Sequence, residues 1–99
     1  MITEKKIHGK DDIGDGRVLA EFFAPWCSFC RAAEPILSDV EREFPETEFI
    51  KINTDECQDA AAAFDVRSLP TFILFEGGKE RARAKGALNI AELRRMLRS

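Results

Sequence analysis

Cys27 and Cys30 enclose two residues in the run Trp26-Cys27-Ser28-Phe29-Cys30. Thiols three positions apart on a helix face each other across one turn, a spacing that suits disulfide exchange and also half of a metal site. The preceding run, Val18-Leu19-Ala20-Glu21-Phe22-Phe23-Ala24, is nearly continuously apolar, the pattern of a central strand buried on both faces. Beyond the pair, Cys30, Ala33, Leu37, Val40 and Phe44 recur at steps of three and four, an apolar stripe along one helix face. The cysteines therefore fall where a strand hands over to a helix. First-turn amides lack partners there and the helix dipole is positive, which favours thiolate over thiol. Cysteines so placed have pKa values lowered from about 8.5 toward roughly 7 or below, and the thiolate is the species that attacks a disulfide. Cys27, at the helix entrance, is expected to attack; Cys30, one turn in and more covered, is expected to resolve the mixed disulfide.

Size and charge limit where this chemistry takes place. A chain of 99 residues with 44% hydrophobic content fits one domain, residues 1–99, around one core. No window approaches the roughly 18 apolar residues of a membrane span. The start, Met1 to His8, lacks the apolar core of a signal peptide, so a cytoplasmic setting with no membrane contact is expected. An odd count of three cysteines argues against a multi-bridge secreted framework and for one catalytic pair plus the lone thiol of Cys57. Zinc wants four ligands. Cys57 and His8 are the only other soft ones, lie far apart and form no second pair, so no metal or other cofactor is expected. A net charge of −3 spread through mixed-sign segments gives no support to nucleic-acid binding.

The remaining elements follow in order. Thr3 to His8 reads as a weak first strand, and the Gly- and Asp-rich stretch 9–16 as a loop or stub helix. Glu48–Asn53 reads as a strand, after which Asp55 and Gln58 have capping-box spacing ahead of a short alanine-rich helix. Thr71–Phe75 is a fully apolar strand. Glu76-Gly77-Gly78-Lys79 supplies a hairpin turn, and Arg81, Arg83 and Lys85 alternate with Ala82 and Ala84 as on an edge strand. Asn89 and Glu92 cap a last helix expected to turn Ile90, Leu93 and Leu97 inward. The class is α/β, a sheet of four to five strands with helices on both faces and a first helix that is short or absent.

Trp-Cys-x-x-Cys after an apolar strand, followed about forty residues later by Leu69-Pro70-Thr71 before another, resembles the thioredoxin family. Ala24-Pro25-Trp26-Cys27, Pro35-Ile36-Leu37, Lys51-Ile52-Asn53-Thr54-Asp55, Gly77-Gly78 and Gly86-Ala87 extend the resemblance over nearly the whole chain. It implies a thioredoxin fold with a central mixed sheet, and a dithiol enzyme that reduces protein disulfides and is recharged by a thioredoxin reductase, nicotinamide- or ferredoxin-linked. A monomer is expected.

The resemblance also bears on residues outside the pair. A carboxylate inside an apolar strand must be desolvated or paired, and Glu21 shares its face with Leu19 and Phe23. It stands six residues before Cys27, where thioredoxins carry a buried Asp proposed to take the proton of the resolving cysteine, so Glu21 is the candidate general base. Lys51, on the face of Phe49, is the expected partner of Glu21, although a snorkelling lysine is the ordinary alternative. The resemblance makes Pro70 a cis proline beside the cysteines, with Trp26, Ser68, Leu69, Pro70 and Gly86 lining the substrate groove. Pro35 should interrupt one helix bond. Cys57 reads as a packed or lone thiol, and His8 as without a catalytic role. Three rival readings stand beside the reductase: an oxidase or isomerase on the same fold, a metal-binding module, and a non-catalytic partner-binding module. Ser28-Phe29 replaces the commonest thioredoxin pair, Gly-Pro, and leaves the redox potential open.

Overall fold

The computed structural model describes residues 2–99. A two-residue strand β1 (Thr3–Glu4) leads through a single 3-10 turn at Lys10–Asp12 to β2 (Arg17–Phe23) and α1 (Ser28–Glu41). There follow β3 (Glu48–Asn53), α2 (Gln58–Ala63), β4 (Thr71–Glu76), β5 (Lys79–Lys85) and α3 (Ile90–Arg98). The strands form one mixed sheet in the order β1-β3-β2-β4-β5, parallel from β1 to β2 and antiparallel from β2 to β5.

Two-residue alternation on the strands divides the core into two layers. Val18, Ala20 and Phe22 of β2, with Ile50, Ile52, Ile73 and Phe75, face α2 and bury Ala60, Phe64 and Cys57. Leu19 of β2, with Phe49, Phe72 and Leu74, faces the opposite side and is covered by Ala33, Leu37 and Val40 of α1 and by Leu93, Met96 and Leu97 of α3. Helices thus cover both faces, as expected. Central β2 is hydrogen-bonded on both edges and buried from Val18 to Phe23, so the chain leaves it toward Cys27 from a fixed position.

Several local expectations are corrected. The first strand stops at Glu4, and His8 lies beyond it with Nδ1 2.7 Å from the Asp59 carboxylate on α2. Asp55 does not cap α2. Asn53 accepts the Asp55 amide at 2.9 Å, an Asx turn that delays the helix, and Cys57 becomes the N-cap residue. Phe44 lies past the end of α1 yet still packs against the core that α1 covers. Ile90 is 37% exposed. Leu88, ahead of the Asn89 cap, packs into the core with Leu93 as a hydrophobic staple does, and Met96 takes the inward place predicted for Ile90.

Gly77 and Gly78, both at positive φ, make the two-residue β4–β5 turn that such a hairpin requires. Leu37, on the inner face of α1, is 1% exposed. Leu37→Ala should cost about 2–5 kcal/mol by urea unfolding, and a loss under about 1 kcal/mol would contradict this packing.

Candidate active site

Cys27 takes extended backbone angles as the N-cap residue of α1, and its sulfur accepts the Cys30 amide at 3.2 Å. That amide is one of the donors a helix start leaves without a backbone partner, so it stabilises negative charge on the Cys27 sulfur. Cys27 and Cys30 are joined as a disulfide, their Cα atoms 5.3 Å apart. Cys27 is 6% and Cys30 2% exposed, the order expected of an attacking and a resolving residue. Both pack with Phe23, Ala24 and Leu69.

Around this pair the surface is apolar. Trp26, just before Cys27, is 69% exposed, and Phe29, between the two cysteines, is 59% exposed. The Trp26 indole Nε1 donates to Asp55 at 3.0 Å, which orients the ring. Trp26 and Leu69 line a shallow cleft of about 300 Å³ with Thr54, Val66 and Arg67. The Leu69–Pro70 peptide bond is cis, and the Pro70 carbonyl accepts the amide of Gly86, which sits at positive φ. Exposed Ser68 adjoins them, its carbonyl accepting the Thr71 hydroxyl at 2.7 Å.

Glu21, in the middle of β2, is 2% exposed, with neither carboxyl oxygen hydrogen-bonded among the described residues. Burial, reinforced by the nearby Glu34 charge and opposed by Lys51, pushes its carboxyl up to about 7. Glu21 and Lys51 are paired residues on β2 and β3 and line one cavity of about 240 Å³ with Glu34, Ser38 and Ile2. That space is large enough and polar enough to hold water.

The expected Glu21–Lys51 ion pair is not formed. Lys51 Nζ lies 2.7 Å from Glu34 Oε1 and 5.1 Å from the centre of the Phe23 ring. The Glu34 side chain is 46% exposed, so the ammonium reaches a hydrated carboxylate instead of following Glu21 into the core. The hydrogen bond to Glu34 raises the Lys51 pKa further. Glu34 stands four residues after Cys30 and so on the same side of α1. That spacing was the available signal for it. Cys57, 3% exposed, is packed in the core layer under α2. Among the described residues no cluster of three or more His, Cys, Asp or Glu side chains is arranged to hold a metal ion, and no helix is long and apolar enough to cross a membrane.

Residues 4–99 match the family model "Thioredoxin". The chain belongs to the thioredoxin family. Thioredoxin of Mycoplasma genitalium is 41% identical over 89 residues, 87% of each chain. The solved structure of Fasciola hepatica thioredoxin superposes with a TM-score of 0.83 at 31% identity, covering 99% of this chain and 97% of that one. A structure addressing thiol resolution in yeast mitochondrial 1-Cys peroxiredoxin via glutathione/thioredoxin systems superposes at 0.84 with 25% identity, covering 98% and 93%. The Cys27/Cys30 disulfide is accordingly the redox-active centre of a thioredoxin-type dithiol-disulfide oxidoreductase.

The raised carboxyl of Glu21 makes stability depend on pH. Its folded pKa, about 7, exceeds the ordinary 4.5, so the folded state holds this proton more tightly than the unfolded chain. Stability from this group is full below about pH 4.5 and is lost as pH rises through 7, by on the order of 3 kcal/mol. Oxidised Glu21→Leu should therefore gain on wild type by roughly 2–3 kcal/mol more at pH 8 than at pH 4.5 in urea unfolding. A gain independent of pH would contradict the assignment.

Proposed function

We propose that this thioredoxin-family protein is a single-domain, monomeric reductant of protein disulfides, acting in the cytoplasm and recharged by a thioredoxin reductase. The observation that carries the chemistry is the Cys30 amide on the Cys27 sulfur at the start of α1. In the reduced protein that donor and the helix dipole favour a Cys27 thiolate. The thiolate attacks one sulfur of a substrate disulfide, the substrate S–S bond breaks, and a mixed disulfide forms as the other substrate sulfur leaves as a thiolate and takes a proton from solvent. Cys30 then loses its proton to Glu21, directly or through water, and attacks the Cys27 sulfur. The second substrate thiol departs and the Cys27–Cys30 disulfide remains. Two electrons have passed to the substrate.

Glu21 suits the proton step because a base works best with a pKa near the working pH, and its carboxyl is pushed up to about 7. Lys51, lining the same cavity, tempers that rise. Trp26, Ser68, Leu69, Pro70 and Gly86 form the docking surface, supported by the exposure of Trp26 and by its shared cleft with Leu69. An extended substrate segment would use backbone groups of Leu69 beside the cysteines.

Nicotinamide- or ferredoxin-linked recharging would each meet this same surface. The cytoplasmic assignment is supported by the direction of electron flow, since a reductant works with the reducing thiol pools there. The peroxiredoxin study among the structural neighbours supports protein thiol partners of this kind.

Cys27→Ser should abolish insulin disulfide reduction, measured by turbidity with dithiothreitol as electron donor. Undiminished turnover in that variant would sink the mechanism.

A further inference from the structure

We propose that Glu34 is a positioning residue for the resolving step: by holding the Lys51 ammonium at the cavity mouth it keeps the buried Glu21 carboxyl free of an ion-pair partner. The proposal rests on the reading of Glu21 as the base that takes the Cys30 proton.

Glu21 and Lys51 are directly paired on neighbouring parallel strands, so their side chains leave the sheet on the same face. Without a competitor, an ammonium on a flexible four-carbon stem would be drawn to that carboxyl. Instead Nζ lies 2.7 Å from Glu34 Oε1, and both Glu21 oxygens remain without a hydrogen bond. Glu34 reaches the same cavity from α1, one helical turn beyond Cys30. The half-exposed Glu34 competes well because an ammonium paired there keeps part of its hydration, whereas pairing with Glu21 would strip it.

Three elements besides β2 bring groups to the surroundings of Glu21. From β3 comes Lys51, from α1 come Glu34 and the uncharged Ser38, and β4 presents Phe72, which carries no charge. Glu4 of β1, opposite Lys51, acts on the lysine. Glu34 therefore acts twice in one direction, by withdrawing the cation and by adding its own negative charge. Both keep Glu21 a strong base and leave its carboxyl partly protonated near neutrality. Freed from Glu34, Lys51 would pair with Glu21, favour the carboxylate and weaken it as a base.

The test follows the Glu21 carboxyl by carbon-detected NMR titration of the oxidised protein, alongside the pH dependence of single-turnover resolution of a mixed disulfide. Glu34→Ala should lower the Glu21 midpoint by about one pH unit, the lower end of what an adjacent opposite charge produces, and move the acid limb of the resolution rate down equally. Glu34→Asp should restore most of both values. In a Lys51→Met background the Glu34→Ala shift should fall to less than half. Should Glu34→Ala fold poorly, the near-isosteric Glu34→Gln should shift both readouts in the same direction.

A Glu21 midpoint that stays put or rises in Glu34→Ala overturns the proposal. So does a shift of equal size with and without Lys51, or a midpoint shift that the acid limb does not follow. Failure of the underlying reading looks different: Glu21→Gln would then resolve mixed disulfides at the wild-type rate, whatever Glu34 does to the titration.

Discussion

The burial of β2 governs the redox site. It is the central strand, bonded to β3 on one edge and β4 on the other, with a helical layer against each face. A strand so confined cannot slip by one residue without turning its whole apolar set to the wrong layer. The register fixes where the chain emerges at Ala24 and hence where α1 begins. Cys27 becomes an N-cap residue because the chain must turn there from extended to helical, and its sulfur receives an amide that the helix cannot otherwise satisfy. The chemistry of the pair is thus a consequence of how a strand ends.

The same confinement makes Glu21 costly. Its face of β2 otherwise carries Leu19 and Phe23, and α1 closes over it. A carboxyl held there without a hydrogen bond is kept at the expense of stability, as groups at functional sites often are. The cavity shared with Glu34, Ser38 and Lys51 gives it a polar route outward. Lys51 answers to two acids, and the more hydrated one holds it.

Strands and helices with a clear period were legible in the sequence because burial on both sheet faces leaves continuous apolar runs, and Glu48–Asn53 agrees in both bounds. The stripe Cys30, Ala33, Leu37, Val40 named the inner face of α1. What escaped depended on contacts between distant residues. The Asp55–Gln58 spacing suggested a cap, but the Asp55 carboxylate is engaged by Trp26 and its amide by Asn53. Glu34 escaped because it borders the apolar stripe without belonging to it, and its meaning depends on which strand residue lies beneath. Lys51 was placed on the right face. Its choice between two acids turns on relative hydration, which spacing does not encode.

Ser28 and Phe29 are the two residues that the cysteines enclose. Phe29 adds exposed apolar surface and lines a small cleft with Ala32, Ile36 and Leu88, beyond the one beside Trp26. It does so without the rigidity a proline would bring to the first turn, while Ser28 offers a hydroxyl in the same turn. Strengthened stabilisation of the thiolate would make the pair more oxidising, because it favours the reduced form. The direct test of the reductant assignment is the midpoint potential of Cys27/Cys30, by equilibration with a glutathione or dithiothreitol buffer at pH 7. A reductant should have a value of about −270 mV, where thioredoxin lies, and a midpoint well above about −200 mV would contradict that assignment and indicate an oxidase or isomerase.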